Sequence, residues 1–397
     1  MRADHGILAW ERYAELAQLL NRAEPSEFVP VLLSTLQAEA GADTAHLYLA
    51  DVEERFLSVY GEAGERNRSS ERRVPVEGSS HGKAYKLGEA QRTRLAGSWA
   101  IIAPVLARAE RIGVLDVRFS EEPPDETQYL VSSIGVLVGY LIIAADRWTD
   151  EFHVARRRKN MTLAAEMQWN LLPLAAFSSA RISVGAALEP AYDIAGDCFD
   201  YSLGRHALSA GIFDAMGHGL RAARLAELAI GAYRNGRRNG SDIEAQARFI
   251  HQSVLDGSRH REFVTGQLAH VDLEEPRRSS IVNAGHPTPL LHRGNGAPQR
   301  LPLAVDLPFG MPFPNELTPQ PLELEPGDRL VFFSDGLVEA RPEGGEFFGE
   351  ERLVAALQEH RTKSPRDAAR AIISTVLEHR ADALLDDATI LVLDVPT

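Results

Sequence analysis

The spacing of apolar residues changes along the chain, and each change predicts a different kind of element. Near the N-terminus apolar side chains recur at helical spacing, which predicts an amphipathic helix over 4–22 and a second helix over Phe28–Ala40. The period then becomes two, which predicts two pairs of strands separated by a polar loop, and a strongly apolar helix follows. The predicted strands are Ala45–Ala50, Phe56–Tyr60, Trp99–Leu106 and Arg111–Phe119, the loop is Glu62–Arg73, and the apolar helix is Ile134–Ala145.

Strands enclosed by helices predict an α+β domain over about 25–147. Its order of helix, two strands, variable loop, two strands and long helix resembles a GAF domain, and Gly113–Phe119 (GVLDVRF) is similar to a strand that such domains carry near their end. The resemblance implies a sensor with a small-molecule or protein effector, although a bilin joined through cysteine is excluded because the region has no cysteine. A PAS-like or other small sensor fold is the alternative. The aromatic residues Tyr48, Tyr60, Tyr85 and Trp99 are predicted to be core rather than a ligand pocket.

The segment over 148–172 contains neither Pro nor Gly and therefore predicts one connector helix that ends at Pro173. Its apolar stripe is more polar than a coiled-coil seam, and its basic run, Arg156–Lys159, is predicted to be a solvated face. A continuous helix is stiff, so we expect a rotation or shift at its start to reach its end.

Beyond Pro173 the pattern alternates between strands and a few helices, which predicts a sandwich of sheets with helices packed outside. The predicted domains are an N-terminal helix (1–24), a sensor domain (25–147), a connector helix (148–172) and a catalytic domain (173–397). The predicted strands are Ile182–Leu188, Ala207–Asp214, Val264–Leu273, Ser279–Asn283, Pro289–His292, Arg329–Ser334 and Ala388–Val395, and the predicted helices are Leu220–Tyr233, Asp242–Leu255, Glu350–Glu359 and Pro365–His379.

Aspartates stand where apolar strands of this C-terminal half end. The run Ala210–Phe213 leads to Asp214, and the run Leu330–Phe333 leads to Asp335. Clustered carboxylates repel one another unless they are protonated or bridged by cations, and oxygen ligands suit Mg²⁺ or Mn²⁺. The pattern therefore predicts two hard cations that activate water for in-line attack on a phosphate. Further aspartates of the same pattern are Asp197 and Asp200 in GDCFDY, and Asp386 and Asp387 before the last strand.

Composition narrows the class of protein. A length of 397 residues exceeds one ordinary core, and a net charge of −14 argues against a nucleic-acid partner. The single cysteine, Cys198, excludes an internal disulfide and a thiolate metal cluster, and we expect it to be a packed core thiol. The N-terminus lacks the features of a secretory signal, and the apolar stretch Ile134–Ala145 is too short to span a bilayer. These observations predict a cytoplasmic protein without a membrane partner.

An ordered set of short motifs over about 165–395 resembles the SpoIIE-like branch of the metal-dependent, type 2C (PPM) protein phosphatases. Three departures keep every carboxylate: Ala195–Gly196 replaces a pair of glycines, Ala215 follows Asp214 where Val or Gly is usual, and Ser334 replaces the threonine of TDG. The motifs are Met167–Pro173 (MQWNLLP), Ala195–Tyr201 (AGDCFDY), Asp214–Gly219 (DAMGHG) with Ala222–Ala223, Phe263–Thr265 (FVT), Asn283–Pro287 (NAGHP), Pro326–Asp328 (PGD), Ser334–Gly336 (SDG) with Glu339, Phe348–Gly349, and Asp386–Thr389 (DDAT).

This resemblance implies a serine/threonine protein phosphatase with an α-β-β-α sandwich and two Mn²⁺ or Mg²⁺ ions. The substrate that it implies is a phosphorylated bacterial regulatory protein such as an anti-sigma-factor antagonist. The alternatives are a catalytically silent module that binds a partner and a phosphatase of small phosphate esters. By motif, the catalytic carboxylates and metal ligands would be Asp197, Asp214 as the bridge, Asp335, and Asp386 or Asp387, with the backbone oxygen of Ala215 as a further ligand.

Other polar residues of the motifs have less specific interpretations. His218 is either catalytic or a turn residue that caps the following helix, and the general-acid histidine of the wider family would fall near Met216. His286 and Asn283 are expected to fix a turn between strands. Two weaker expectations are that Thr265 packs on a strand and that Asp200 orients the site.

The apolar helix Ile134–Ala145 also predicts an oligomeric state. It is apolar almost all round, and such a surface in a soluble protein usually needs a partner. We therefore expect a two-fold symmetric homodimer joined along this helix and the connector.

Overall fold

The computed structural model describes residues 14–60, 73–189, 192, 196–258, 262–380 and 386–397, which fall into two compact units divided between Lys159 and Asn160. Of the predicted first helix, the part over 14–22 is described and is helical (α1). The predicted loop lies outside the described residues except for Arg73, and so does Ala195.

The first unit is built on one antiparallel sheet in the order β3-β2-β1-β6-β5-β4. Helices α1, α2 and α4 cover one face, and α3 covers the other with Ala84 and Tyr85. The four predicted strands and both predicted helices are confirmed, with α4 starting earlier than expected. The elements are α2 (Pro25–Ala40), β1 (Thr44–Ala50), β2 (Phe56–Tyr60), β3 (Arg73–Pro75), α3 (Ser80–Leu87), β4 (Gln91–Leu95), β5 (Ser98–Ala107), β6 (Glu110–Phe119) and α4 (Asp125–Ala145).

The sequence pattern missed three elements of this unit, namely β3, α3 and β4. Strand β4 reads QRTRL and lies at the edge of the sheet, where one neighbour and solvent replace the apolar contacts that mark a central strand. Helix α3 is short, and its start depends on Ser79, whose hydroxyl accepts a hydrogen bond from the Gly82 amide.

The apolar residues of helix α4 are not all exposed, because one side of the helix is buried in the core. This corrects the argument that the helix is an apolar surface on nearly every side and therefore needs a partner. Gly135 and Gly139 let it lie directly on β5, because a Cβ atom at either position would come within 2.4 Å of a carbonyl oxygen of that strand. What remains exposed is a narrower stripe of Tyr129, Val136 and Tyr140. Among the described residues, α4 is the helix whose length and mean hydropathy of 1.8 would allow it to cross a bilayer, but one whole side of it is core.

The predicted continuous connector helix is wrong. Helix α5 covers Glu151–Ala155, helix α6 covers Leu163–Leu171, and the residues between them are not helical. Phe152 of α5 is buried in the core of the first unit. Helix α6 begins anew in the second unit, where the Thr162 hydroxyl accepts a hydrogen bond from the Ala165 amide. An absence of Pro and Gly did not exclude a break, because a threonine side chain can start a helix as well as continue one.

The second unit contains two antiparallel sheets, in the orders β15-β12-β11-β10-β9 and β14-β13-β16-β17-β8-β7. Their inner faces form a shared core, α7 and α8 cover the outer face of the first sheet, and α10 and α11 cover that of the second. The mixed α/β sandwich with helices outside is therefore confirmed for this unit. Its helices are α7 (Leu220–Arg238), α8 (Ile243–Gly257), α9 (Asp335–Val338), α10 (Gly349–Glu359) and α11 (Pro365–Arg380). Its strands are β7 (Ala176–Ser178), β8 (Ser183–Glu189), β9 (Asp197–Leu203), β10 (Ala207–Ala215), β11 (Val264–Asp272), β12 (Ser279–Ala284), β13 (Leu290–His292), β14 (Gln299–Arg300), β15 (Gln320–Leu322), β16 (Arg329–Phe333) and β17 (Ala388–Asp394).

Candidate active site

The predicted aspartates meet at one end of the sandwich. Strand β9 begins at Asp197 and runs antiparallel to β10, so that Asp197 and Asp214 are direct cross-strand partners. In the other sheet Asp335 follows the end of β16, and Asp386 and Asp387 precede the neighbouring strand β17. The two sheets therefore bring their acidic ends together. Asp197 and Asp387 are buried, Asp214 is half-buried, and Asp335 and Asp386 are exposed.

The SDG turn is held tightly against the second acidic segment. Ser334 donates its amide to the Thr389 carbonyl at 3.0 Å, and its hydroxyl accepts the Thr389 amide at 3.0 Å. A Cβ atom at Gly336 would stand 2.1 Å from the carbonyl oxygen of Asp387, which leaves room for glycine alone. Asp335 is thereby kept beside the pair of aspartates that precedes β17.

Asp387 is fixed by three donors on a single carboxylate oxygen. Its Oδ2 accepts hydrogen bonds from the amides of Gly196 and Asp197 at 2.8 and 3.1 Å, and from Gln168 Nε2 at 2.8 Å. Its Oδ1 and the Oδ2 of Asp197 are buried and have no hydrogen-bond partner among the described residues. A buried anionic oxygen without a donor is costly, so these atoms suit a cation.

Mutual repulsion adds to burial in raising the pKa values of Asp197, Asp214 and Asp387. Burial, and then the charges of Asp214 and Asp387, hold the pKa of Asp197 well above its ordinary value. Burial and the charges of Asp335, Asp386 and Asp387 raise the pKa of Asp214 to about 7. Burial raises the pKa of Asp387 to about 6, against the hydrogen bonds that its carboxylate accepts. The site therefore favours bound protons or cations over bare carboxylates.

Without metal, the folded protein should lose stability as the pH rises from about 4 to about 7. The raised pKa values of Asp214 and Asp387 mean that the folded state binds more protons than the unfolded state in this range. The free energy of unfolding then falls with increasing pH. Thermal melts in a chelator across this range measure the fall, and Asp214→Asn should reduce its slope. Equal slopes for the two proteins would contradict the assignment of these shifts to the cluster.

The residues present fit divalent cations. No three of the described Asp, Glu, His or Cys side chains already surround one point as ligands. Mg²⁺ usually keeps several of its waters and binds one or two carboxylates, so a closed cage of protein ligands is not required. The fit comes from the donor chemistry, which is all oxygen, and from the two buried oxygens of Asp197 and Asp387 that lack donors.

The other motif residues have distinct surroundings. His218 is exposed and close enough to Asp386 to lower the pKa of that carboxyl, although burial and Asp335 raise it. It does not cap α7, because the N-cap is Gly219 and no side chain in the described part of the chain makes a capping hydrogen bond there. The expected turn role of Asn283 is confirmed, since its side chain accepts the His286 amide at 2.9 Å and donates to the His286 carbonyl at 3.0 Å.

Burial lowers the pKa of His286 to about 3, so its ring is neutral, and its Nδ1 lies 2.9 Å from the Thr265 hydroxyl. Thr265 lies on β11, as expected, and its hydroxyl contacts the ring of His286. Cys198 is a fully buried thiol on β9, as expected.

The sequence analysis did not identify two residues that hold parts of the acidic site in place, Gln168 and Arg234. Gln168 lies within the motif MQWNLLP, and Arg234 pairs with the buried Asp200 at 2.8 Å. A signal for Gln168 was available, because it follows Ala164 by four positions and so shares its apolar helix face. No comparable pattern marks Arg234, which lies among other arginines near the end of α7.

Comparison with known proteins shows that the second unit is similar to phosphatases. Residues 204–396 match the family model described as Stage II sporulation protein E (SpoIIE). The chain is 23% identical over 280 residues to phosphoserine phosphatase RsbU of Bacillus subtilis. The aligned region covers 70% of this chain and 83% of RsbU.

Similar solved structures include the SiaA-PP2C domain of Pseudomonas aeruginosa, at 23% identity and a TM-score of 0.48, over 58% of this chain and 93% of that one. Another is the PP2C phosphatase domain of SpoIIE from Bacillus subtilis with a fragment of its regulatory domain, at 23% identity and a TM-score of 0.47, over 54% of this chain and 63% of that one.

Proposed function

We propose that this protein, whose C-terminal domain belongs to the SpoIIE-like PPM phosphatases, hydrolyses phosphoserine and phosphothreonine in proteins with the help of two Mn²⁺ or Mg²⁺ ions. The observation that carries the proposal is the cluster of aspartates from both sheets, because the raised pKa values of Asp197 and Asp214 and the donor-free buried oxygens favour cations. When bound, such ions would neutralise the carboxylates, hold the phosphate and lower the pKa of the attacking water.

We assign the cations to Asp197, Asp214, Asp335 and Asp386, with the Ala215 backbone oxygen as a further ligand. Asp214 is the bridge in this assignment, since it interacts electrostatically with aspartates of both acidic segments of the second sheet. Asp386 is preferred to Asp387 because it is exposed beside Asp335, whereas one oxygen of Asp387 is already occupied by three donors. Asp387 then holds the start of β9 through its Oδ2, and its donor-free Oδ1 is left as a secondary contact for a cation.

A phosphatase assay tests this function. The full chain should release phosphate from a phosphoserine protein in Mn²⁺ and lose that activity in excess chelator. Activity that survives the chelator would refute the metal-dependent mechanism. Absence of activity in Mn²⁺ would favour the catalytically silent binding module.

The substrate that we propose is a phosphorylated regulatory protein, because the relative RsbU is named a phosphoserine phosphatase and the motifs resemble enzymes of sigma-factor control. A small phosphate ester is the competing substrate. Comparison of kcat/KM for a panel of phosphoproteins and for a generic phosphoester separates the two, and no preference for any phosphoprotein would remove the regulatory substrate.

We further propose that the first unit is a GAF-like sensor that controls the phosphatase through the connector. Because α5 packs within the first unit and α6 within the second, the signal cannot pass along one rigid helix. Inserting one to four alanines between Lys159 and Asn160 should therefore change regulation without a helical period. The same insertion in the exposed turn at Asn295 serves as a control. Activity that oscillates with a period of about 3.6 residues would contradict the two-part connector.

A homodimer and a cytoplasmic location complete the proposal. The stripe of Tyr129, Val136 and Tyr140 on α4 is the surface available for a second copy, with Tyr129 being 78% exposed. Light scattering at micromolar concentration should give the mass of a dimer, and a monomeric mass would contradict it.

A further inference from the structure

A buried glutamine joins helix α6 to the acidic end of the sandwich. The side chain of Gln168 is fully buried, and its Nε2 donates one hydrogen bond to the Asp197 carbonyl at 2.7 Å and another to Asp387 Oδ2 at 2.8 Å. Both partners are acceptors, so the amide nitrogen is the atom that must face them. One neutral group thus contacts two segments that come from different sheets.

Small residues on the buried face of α6 allow this helix to pack closely against the second unit. Its other buried residues, Ala164 and Ala165, are small, and Ala164 packs against Ala223 of α7. Burying a primary amide is unfavourable unless it is hydrogen-bonded. The Gln168 amide nitrogen is bonded twice, whereas its buried Oε1 has no hydrogen-bond partner among the described residues. The partners that it meets are the backbone and side chain of the candidate metal site.

The C-terminal end of α6 is tied to the same region by a second contact. Arg234 of α7 donates to the Leu171 carbonyl at 2.5 Å and to Asp200 Oδ1 at 2.8 Å. Arg237 contacts the other oxygen of Asp200 at 2.9 Å. Asp200 lies on β9, three residues beyond Asp197, so α6, α7 and the strand that starts at Asp197 form one connected unit.

We infer that Gln168 is a positioning residue for cation binding. It fixes the Asp387 carboxylate relative to the Asp197 peptide, and it does so only while α6 is docked on the second unit. The inference rests on the proposed metal-dependent function, but Gln168 is not assigned any contact with phosphate or water. Hydrogen bonds of this supporting kind typically change metal affinity by about 10–100-fold when they are removed.

The test is Mn²⁺ binding to the full chain, measured by calorimetry or by electron paramagnetic resonance of free Mn²⁺. Gln168→Met keeps the length of the side chain and removes the amide, and it should raise the Kd for Mn²⁺ by about 10-fold or more. Asn170→Met places the same residue on the exposed side of the same helix and should leave the Kd unchanged. In assays, Gln168→Met should raise the Mn²⁺ concentration needed for half-maximal activity more than it lowers kcat at saturating Mn²⁺.

Circular dichroism and melting in chelator establish that the variants are folded. If Gln168→Met does not fold, Gln168→Asn replaces it, since its amide is one methylene short of both acceptors and should weaken binding in the same direction. An unchanged Kd in a folded variant at Gln168 overturns the inference and leaves the proposed function intact. Mn²⁺ binding without phosphoserine hydrolysis in the wild type overturns the proposed function alone, and no Mn²⁺ binding in the wild type overturns both.

Discussion

Asp214→Asn should lower kcat for phosphoserine hydrolysis by about 1,000-fold, which corresponds to ~4 kcal/mol of transition-state stabilisation. Asp214 is the aspartate whose charge is coupled to Asp335, Asp386 and Asp387 together. An amide of the same shape keeps the geometry but removes the negative charge that would hold two cations near each other. Initial rates in saturating Mn²⁺ measure the loss.

The same substitution should not damage the fold. In metal-free protein it removes one repelling carboxylate, so the melting temperature in chelator should stay equal or rise. Asp256→Asn is the matched control, because Asp256 is exposed on α8 and contacts Gln252 of the same helix. The expected loss would leave about a thousandth of wild-type activity. If Asp214→Asn retains more than about a tenth of that activity, Asp214 is not the bridge.

Gly336→Ala should strongly destabilise the catalytic domain, although it adds a single methyl group. The new Cβ would stand 2.1 Å from the Asp387 carbonyl oxygen and 3.0 Å from its carbonyl carbon, which are backbone atoms of a strand start. Either the turn at Asp335 or the segment at Asp387 must move, and overpacking of this kind costs about 3 kcal/mol or more. For a domain of this size we expect the melting temperature to fall by about 10 °C.

Gly231→Ala is the control for this substitution. Gly231 lies at an exposed position within α7, and outside the backbone of that helix no atom of the described residues lies within 4 Å of the position that an added methyl would take. Alanine there should therefore stabilise the helix by about 0.5–1 kcal/mol. Gly336→Ala should also weaken Mn²⁺ binding, whereas Gly231→Ala should not. A wild-type melting temperature and Mn²⁺ affinity for Gly336→Ala would mean that the close approach of Gly336 to Asp387 is not required.

The acidic site could be predicted from sequence because it depends on local signals. Asp214 and Asp335 each follow a run of apolar residues, and a strand that stops at a charged residue marks its own end. Strand β9 was missed although its first residue was predicted as a ligand, since DCFDYS alternates too weakly to be recognised. The pairing of Asp197 with Asp214 then follows from the antiparallel register, which no single segment contains.

The support of the site could not be predicted because it comes from distant parts of the chain. Gln168 and Asp387 are 219 residues apart in the chain. The local sequence around either residue contains no pattern that predicts contact with the other. The prediction of one continuous connector helix was wrong for a different reason. Thr162 is compatible with a helix interior, but its hydroxyl serves as an N-cap, and tertiary contacts of Arg156 with β1 hold the preceding residues in another conformation.

The break near Lys159 bears on how such a protein could have been assembled in evolution. The contacts that dock α6, through Gln168 and the Leu171 carbonyl, are made with residues of the catalytic unit itself. A recombination event at this break would transfer α6, its contacts through Gln168 and the Leu171 carbonyl, and the acidic cluster together as one inherited segment. A different upstream domain could then be joined without redesigning the metal site, and only the few residues around the junction would have to adapt to the new neighbour.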